Sequence, residues 1–484
     1  MTIVEVYEYA SASNIGLTWN LVILELCYSK KIQQVWKGTK ILSKLKILDL
    51  SFSSNLIRTP DFSGLPNLEK LLLYGCKRLV EVHENIDHLS KLVHLNLTSC
   101  VSLGNLPSGI SKLVSLESLG ICYCLKLEKL PAGIGNLTRL RSLDAFRTAI
   151  EELPSSINLL KDLTTFKYFV PSGQRNPKSI ALLSASLYGW YSLNRLQLTN
   201  CHLMDVDIPD DLWKLCCLKS LDLSGNDFCS LPSGICDQLS ELETLRLNYC
   251  KSLQSLPRLP SSLCFLEASN CISLERLPNL SNLKHLKKLK LSGCSKLKEI
   301  EALGSLESGE EIDLYYCDNL DKSRIFQEIS KEFRNRDVCQ ISLSESEIPE
   351  WFEFQNEQPS SSASCQVTIL HNMEIRGVII CIVLPSSDYD SHEVVVHNQS
   401  KNSTLNRLIF LDYIARPSGV FDEQLSVMKI PYCVWKSIAG FGDVINVSVR
   451  KTWGDELSVV NKIGVHLFHT QHEKVSNQGN SEAT

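Results

Sequence analysis

Cysteine is the most reactive side chain that recurs along this sequence, with 19 copies among 484 residues. Thiols at suitable spacing could form disulfides, bind zinc or act as nucleophiles. Eight of them follow the same short hydrophobic motif: Cys76, Cys100, Cys124, Cys201, Cys250, Cys271, Cys294 and Cys317. A whole row of equivalent thiols cannot pair off without distorting the backbone, and buried free cysteine behaves as a small hydrophobe. We therefore expect structural thiols, and we predict no metal site and no cofactor.

A second set of side chains recurs at alternate positions of that motif and could bind a partner. Its members are polar, basic or aromatic: Lys70, Tyr74, His94, Asn96, Lys167, Phe169, Arg195, Gln197, Arg246, Asn248, Lys288, Lys290 and Tyr315. Exposed aromatic residues and arginines dominate the energetics of protein interfaces. The alternative for each single residue is a solvated face, since every sheet shows some side chains to water. For the set as a whole, we predict a protein-binding surface and no catalytic residues.

The motif that positions both sets reads L-x-x-L-x-L-x-x-C and is complete at residues 92–100. We number its positions 1 to 9, with leucines at 1, 4 and 6. Position 1 recurs at Leu21, Leu45, Leu68, Leu92, Leu116, Leu140, Leu163, Leu193, Leu218, Leu242, Leu263 and Leu286. Steps of about 23–24 residues lie within the range of leucine-rich repeats, and we expect about thirteen units.

The period predicts an α/β leucine-rich-repeat solenoid, a horseshoe with a parallel sheet on its concave face. Strand side chains alternate, so positions 4 and 6 point inward while 3, 5 and 7 point outward. Many units continue with leucine-proline-x-x-isoleucine, as at Pro107 and Pro154, where proline marks the end of the strand. The long step between Leu163 and Leu193 predicts an exposed loop insertion near 170–190.

Composition excludes several classes of partner. A formal net charge of −5 implies no bulk attraction to nucleic acid or to an acidic membrane surface. No apolar stretch approaches about 18 residues, and the first 20 residues do not read as a signal peptide. We therefore expect a protein of the cytoplasm, with the nucleus as the alternative compartment, and no membrane span.

Beyond the repeats the pattern changes to short strands, which predicts an all-β sandwich or jelly roll. The strand segments are 366–370, 378–384, 394–397, 408–414, 427–430, 444–450 and 463–468. We expect a lead-in at 1–20, the repeats at 21–320, a capping or linker segment at 321–345, the β-sandwich at 346–470 and a disordered tail at 471–484. Within the linker, Ile325, Ile329 and Phe333 would cover the last repeat. At the start of the sandwich, Trp351 and Phe352 are predicted core residues, with a surface anchor as the alternative.

The chain resembles the C-terminal half of plant TIR-type nucleotide-binding leucine-rich-repeat disease resistance proteins. The segments that carry the resemblance are 24–30 with 35–39, the mid-array phrase 148–157, the sandwich opening 347–352 and the closing strand 461–468. Repeats alone are a generic signal, but repeats followed by this tail are specific. The resemblance implies that the tail is the family's post-repeat jelly-roll/Ig-like domain (C-JID).

The resemblance further implies a recognition module in innate immunity, which binds a pathogen effector or a guarded host protein. The sequence contains no G-x-x-x-x-G-K-S/T, so we expect the nucleotide-binding domain and the NAD-cleaving TIR domain to be missing from this chain. That portion is an implied second partner, in cis or in trans. The alternatives are a leucine-rich-repeat ubiquitin ligase and a substrate adaptor. Residues 256–263 are mildly reminiscent of the ligase, but that enzyme needs a nucleophilic cysteine in a helical C-terminal domain, whereas Cys236 lies within a repeat.

Overall fold

The computed structural model describes residues 2–5, 20–170, 187, 189–208, 210–330, 339–344, 347–356, 364–368, 374–384, 392–409, 424–431, 443–451 and 461–470. The chain divides into two compact units, Met1–Leu283 and Lys284–Thr484. Most of the predicted loop insertion and the whole predicted tail lie outside the described residues. No helix among the described residues is both long enough and apolar enough to cross a bilayer.

The first unit is a ladder of short parallel strands. In chain order they are β1 Thr2–Glu5, β2 Leu21–Glu25, β3 Ile47–Asp49, β4 Lys70–Leu72, β5 His94–Asn96, β6 Ser118–Gly120, β7 Ser142–Ala145, β8 Thr165–Phe169, β9 Arg195–Thr199, β10 Ser220–Asp222, β11 Thr244–Arg246 and β12 Phe265–Glu267. Each strand pairs in parallel with the next. The central leucines are in register, as in Leu71, Leu95 and Leu119. Strand β1 was not predicted; it lies within the predicted lead-in.

The repeating leucines fill the interior of this ladder. In the repeat that contains β5, Leu92, Leu95 and Leu97 are each at most 1% exposed. Full burial of one such side chain contributes about 1.5–3 kcal/mol, and an isolated unit could not bury its leucines by itself. These observations confirm the predicted leucine-rich-repeat solenoid with a long parallel sheet.

Short helical turns form the outer segments of the units. They are the 3₁₀ helices Glu84–His88, Ser108–Lys112, Ile134–Asn136, Ser155–Leu159, Asp205–Asp207, Asp210–Lys214 and Leu280–Asn282, and the α-helix α1 Ile235–Gln238. Pro107 and Pro154 each precede such a helix in an extended conformation with ψ 146°. Proline therefore marks the passage from strand to outer segment, as the sequence predicts, because its missing N–H is not needed there.

Position 9 of the repeat is a hydrogen-bond donor as well as a small buried residue. Cysteine thiols lie 3.1–3.2 Å from the position-6 carbonyl oxygen of the preceding unit, as in Cys76 to Leu50, Cys100 to Leu73 and Cys124 to Leu97. At two positions without the cysteine, another side chain donates to the equivalent carbonyl: Ser53 Oγ lies 2.9 Å from Leu26 O, and Asn226 Nδ2 lies 2.8 Å from Leu198 O. The Leu50, Leu73 and Leu97 carbonyl oxygens also accept a backbone N–H, as Leu50 O does from Ser53 at 3.2 Å, so the thiol supplies a second partner to a buried acceptor that has two lone pairs.

The second unit begins with three parallel strands, β13 Lys288–Lys290, β14 Glu311–Leu314 and β15 Cys339–Leu343. Between β14 and β15 lies the helix α2 Lys322–Ser330, whose Ile325 is 1% exposed. Strand β15 also pairs antiparallel with β21 Gln424–Pro431. The repeat sheet therefore continues directly into antiparallel strands, and β15 covers the edge of β14. The side chains of Ile329 and Phe333 lie outside what the structure describes.

The antiparallel part of this unit consists of two groups of strands around one core. Strand β21 pairs with β18 Glu374–Leu384, which pairs with β23 Lys462–Thr470 and through it with β16 Phe354–Asn356. A separate sheet contains β17 Ser364–Thr368, β22 Val444–Lys451, β19 His392–Asn398 and β20 Ser403–Ile409. Buried side chains of both groups, such as Ile380 and Val447, belong to one hydrophobic cluster. The predicted strand at 408–414 overlaps only the end of β20.

Candidate functional site

The outward positions of the first unit carry most of the predicted binding residues. Strand β5 shows the alternation: Leu95 is buried, whereas His94 and Asn96 are partly exposed. Every other candidate of this unit is likewise partly or fully exposed: Lys70, Tyr74, Lys167, Phe169, Arg195, Gln197, Arg246 and Asn248. Pairing in register places Lys70 beside His94 and Lys167 beside Gln197. The sheet therefore brings residues of adjacent repeats, 24 and 30 positions apart in the sequence, into neighbouring pairs on one face.

Several of the predicted basic residues already face a carboxylate on the neighbouring strand. Lys167 Nζ lies 2.9 Å from Asp144 Oδ2, and Arg246 Nε lies 3.2 Å from Glu267 Oε2. Such pairs at a surface are worth about 0–1 kcal/mol, so a ligand could replace either partner at low cost. Asp144 and Glu267 were not among the predicted binding residues, although the repeat period places each of them one repeat from the base that it pairs with.

In the second unit the same pairing recurs. Lys288 and Lys290 lie 2.6 Å and 3.3 Å from the carboxylate oxygens of Glu311. Tyr315 also lies in this unit, but its side chain is only 3% exposed and its ring centroid is 4.2 Å from that of Tyr316. The prediction that Tyr315 is an exposed binding residue is therefore wrong. Alternation along the strand predicts the direction of a side chain, but it does not predict what covers it.

Position 8, just after each strand, supplies outward residues that the sequence analysis overlooked. Its backbone is left-handed in repeat after repeat, with φ 58° at Tyr28, 59° at Phe52, 58° at Tyr123 and 62° at Tyr249. Bulky residues rarely adopt this conformation. Here the backbone N–H donates to a carbonyl oxygen of the next repeat, as from Tyr123 to Phe146 O at 2.9 Å. The signal in the sequence is an aromatic residue directly before position 9.

Aromatic residues at positions 7 and 8 meet in two groups. In the first, Tyr28 stacks on Phe52 with centroids 4.6 Å apart, and Phe52 meets Tyr74 edge-on at 4.8 Å. Tyr28 is 52% exposed and the other two are 37% exposed each. Exposed, rigid rings of this kind are typical anchors in protein interfaces.

The second group, the aromatic–arginine cluster, comprises Tyr123, Phe146, Arg147 and Phe169. Ring centroids of Tyr123 and Phe146 lie 6.0 Å apart, and those of Phe146 and Phe169 lie 5.6 Å apart. The guanidinium carbon of Arg147 lies 5.5, 5.7 and 6.0 Å from the centroids of Tyr123, Phe146 and Phe169. These distances are within the range of cation–π attraction. Of these four residues, only Phe169 is among the binding residues predicted from the sequence.

Thiols on this outward face are poor nucleophiles. Burial, followed by the charge of Asp49, raises the pKa of Cys27 to about 12. Burial and the charge of Asp144 raise the pKa of Cys122 to the same value. The thiolate is the reactive species, so these groups remain unreactive near neutral pH. Cys236, the cysteine considered for the ligase alternative, is half-buried, with its sulfur 3.5 Å from Leu259 O.

At the opening of the second unit's antiparallel region, the two aromatic residues have different roles. Phe352 is 4% exposed, in line with the predicted core role, whereas Trp351 is 37% exposed. Trp351 packs against Phe326 of α2 at 6.3 Å and edge-on against His466 at 4.9 Å. Trp351 is therefore not a core residue, which corrects the sequence-based prediction. Within the described residues, no group of three or more His, Cys, Asp or Glu side chains could hold a metal ion.

Comparison with known proteins identifies the class of this repeat. Residues 88–288 match the family described as "Disease resistance protein RPS4B-like, leucine-rich repeats". The chain is 28% identical to the TMV resistance protein N of Nicotiana glutinosa over 88% of this chain and 42% of that protein. It is 30% identical to the disease resistance protein RPS6 of Arabidopsis thaliana over 71% of this chain and 32% of that protein.

A solved structure, the leucine-rich-repeat protein LIC12759 of Leptospira interrogans, is 21% identical with a TM-score of 0.38, covering 66% of this chain and 94% of that one. The chain spans less than half the length of the two disease resistance proteins compared. The family match and the two disease resistance proteins confirm the family resemblance seen in the sequence.

Proposed function

Because the chain carries the leucine-rich repeats of plant TIR-type disease resistance proteins, we propose that it recognises a protein ligand for an intracellular immune receptor. The ligand is a pathogen effector or a guarded host protein. A nucleotide-binding and TIR portion, in cis or in trans, converts binding into a signal. The two groups of antiparallel strands in the second unit are, in this proposal, the jelly-roll/Ig-like domain of that receptor class.

The observation that carries the proposal is the contrast between the two sides of the sheet. Inward positions repeat leucine, whereas position 5 differs from unit to unit in charge and size. From β2 to β12 it reads Glu25, Asp49, Leu72, Asn96, Gly120, Asp144, Lys167, Gln197, Asp222, Arg246 and Glu267. A scaffold that keeps its core constant and varies one face suits the specific recognition of a protein surface.

Rigidity supports the same conclusion. Position 8 is fixed by a backbone hydrogen bond to the next unit, as from Phe52 to Tyr74 O at 2.6 Å. Aromatic side chains on such a fixed backbone lose little conformational entropy when a partner binds. The outward face therefore presents anchors that are already ordered.

The test is a titration of a physical partner with matched surface variants. Proximity labelling in infected leaf tissue would recover candidate proteins, and each would then be titrated against the purified chain. The outward variant is Lys70→Ser with His94→Ser, and the control is Arg139→Ser with Lys161→Ser, at exposed positions outside the strands. We expect the outward variant to bind at least about tenfold more weakly, since central contacts dominate interface energy.

Two results would contradict the proposal: equal binding by both variants, or no partner that binds the folded chain. A thioester-linked ubiquitin trapped on the chain by a charged conjugating enzyme would favour the ligase alternative instead.

A further inference from the structure

Arg147 of the aromatic–arginine cluster has different surroundings from the basic residues that form ion pairs on the outward face. Lys167 and Arg246 each face a carboxylate of a neighbouring strand. Arg147 is exposed and is surrounded by three ring faces, and no carboxylate of the described residues lies within ion-pair distance of its guanidinium. An arginine held on aromatic faces keeps its fork of N–H donors free for a planar acceptor.

The outward face around the cluster carries a net positive charge, as Arg147 itself does. At positions 3, 5, 7 and 8 of the four units that begin at residues 116, 140, 163 and 193, the cations are Arg147, Lys167 and Arg195 and the one anion is Asp144. Three positive charges less one negative charge leave a net charge of +2 on this stretch. At the same positions of the units that begin at residues 218, 242 and 263, one cation less two anions gives −1. Among these seven repeats, positive charge is therefore concentrated around the cluster.

The other aromatic group provides an internal contrast. Tyr28 and Phe52 follow strands whose position-5 residues are Glu25 and Asp49. The three repeats of this group, with Tyr74 in the third, carry the anions Glu25 and Asp49 and the cation Lys70 at positions 3, 5, 7 and 8, a net charge of −1. Both groups offer exposed rings, but only the aromatic–arginine cluster combines its rings with a net positive charge. A partner with negative charge would be attracted to one group and repelled by the other.

We propose that the aromatic–arginine cluster anchors an acidic segment of the protein ligand. A carboxylate of that segment pairs with the guanidinium of Arg147, and a neighbouring apolar side chain packs on Phe146 and Phe169. The rings exclude water around the ion pair, which strengthens it relative to an exposed pair. The inference rests on the proposed recognition function and specifies the chemistry of its ligand.

The local backbone holds the cluster in place before binding. Tyr123 donates its N–H to Phe146 O at 2.9 Å, and the N–H of Phe146 donates to Asp144 Oδ1 at 3.2 Å. Arg147 itself has a left-handed backbone with φ 53°. Because these contacts fix the rings and the arginine relative to one another, an acidic segment meets a preformed site.

The experiment selects random short peptides, displayed as a library, against the full-length chain. The peptide that is most enriched would be synthesised, labelled and titrated by fluorescence anisotropy. A second version of the peptide would carry Asn and Gln in place of Asp and Glu. The chain variants are Arg147→Gln, Arg147→Lys and the control Arg139→Gln, an exposed arginine outside the outward positions.

We expect the selected peptides to be acidic with an aromatic or aliphatic neighbour. Arg147→Gln should weaken binding at least about tenfold, as expected for a central interface arginine, whereas Arg147→Lys should weaken it less and Arg139→Gln should leave it unchanged. The amide version of the peptide should bind both the original chain and the Arg147→Gln chain equally weakly, because the pair is already lost.

Selection of no acidic peptide, or equal binding of such a peptide to the Arg147→Gln chain, would overturn the inference. Either result is distinguishable from failure of the recognition function. If only the inference fails, a protein partner would still lose affinity for the Lys70→Ser/His94→Ser variant. If the recognition function fails, no partner would bind the outward face at all.

Discussion

Asn226 is the position at which the role of the repeat's buried donor can be measured most sharply. It occupies position 9, where most units have cysteine, and it is 1% exposed. Its Nδ2 donates to Leu198 O at 2.8 Å and to Leu223 O at 2.7 Å, and its Oδ1 accepts from Leu203 N at 3.1 Å. One side chain therefore satisfies three backbone groups of adjacent units.

Replacing Asn226 with alanine should leave Leu198 O and Leu203 N without that partner, whereas Leu223 O keeps the thiol of Cys250 at 3.3 Å. Each unsatisfied buried group costs about 1–3 kcal/mol, and a water that enters the vacated space recovers part of this. We therefore expect Asn226→Ala to lower the free energy of unfolding by about 3 kcal/mol. Asn226→Cys restores one donor of the kind that other units use, so its loss should be smaller, about 2 kcal/mol.

Urea unfolding followed by circular dichroism would measure both changes, with Asn194→Ala as the control. Asn194 is exposed, and its replacement should change stability by less than about 0.5 kcal/mol. If Asn226→Ala cost no more than the control, the buried donor would contribute nothing to the solenoid. Equal losses for the alanine and cysteine variants would show that the thiols at position 9 act only as small apolar groups.

Three further predictions follow from the packing and ionisation of single residues. Burial raises the pKa of Cys124 to about 12, so at pH 8 iodoacetamide should alkylate the exposed Cys216 in the folded chain and leave Cys124 unmodified, as mass spectrometry would show; alkylation of both at similar rates would contradict this. A Cβ on Gly135 would lie 2.1 Å from a backbone carbonyl oxygen, whereas one on Gly104 would meet nothing closer than 4.0 Å. Thermal unfolding should therefore show a loss of about 1–3 kcal/mol for Gly135→Ala and almost none for Gly104→Ala, and similar Tm values for the two variants would refute the packing argument. Burial raises the pKa of Asp61, but hydrogen bonds from neighbouring hydroxyl and amide groups outweigh it and hold that pKa well below its usual range. Because the folded-state pKa is the lower one, this stabilisation is present above about pH 4 and is lost as the pH falls; Asp61→Asn should flatten the acid limb of Tm against pH, and an unchanged limb would refute it.

The solenoid could be predicted from the sequence because its signal repeats. Leu95 and its equivalents recur at one period. A solenoid of stacked repeats is the architecture in which every repeat buries its leucines against its neighbours. Pro107 likewise marks a boundary because its missing N–H excludes it from the strand interior. Such signals need no knowledge of distant contacts.

The predictions that failed or were incomplete depend on contacts between residues far apart in sequence. Tyr315 has an outward position in its repeat, but its side chain is only 3% exposed and its ring lies against that of Tyr316. The paired state of Arg246 depends on Glu267, one repeat away. The aromatic–arginine cluster was missed because Arg147 and Tyr123 occupy position 8, whose left-handed backbone does not follow from strand alternation. A pattern of alternating faces contains no information about that turn.

The central claim is that the outward face of the first unit binds a protein, and footprinting of the chain with a recovered partner tests it most directly. Hydroxyl radicals would oxidise exposed side chains in the free chain and in the complex. Tyr74, Tyr123 and Tyr249 lie on the outward side, whereas Val114 and Leu159 are exposed in the outer segments. The account predicts that the partner protects the tyrosines and leaves Val114 and Leu159 unchanged. Protection of Val114 and Leu159 with fully oxidised tyrosines would contradict it.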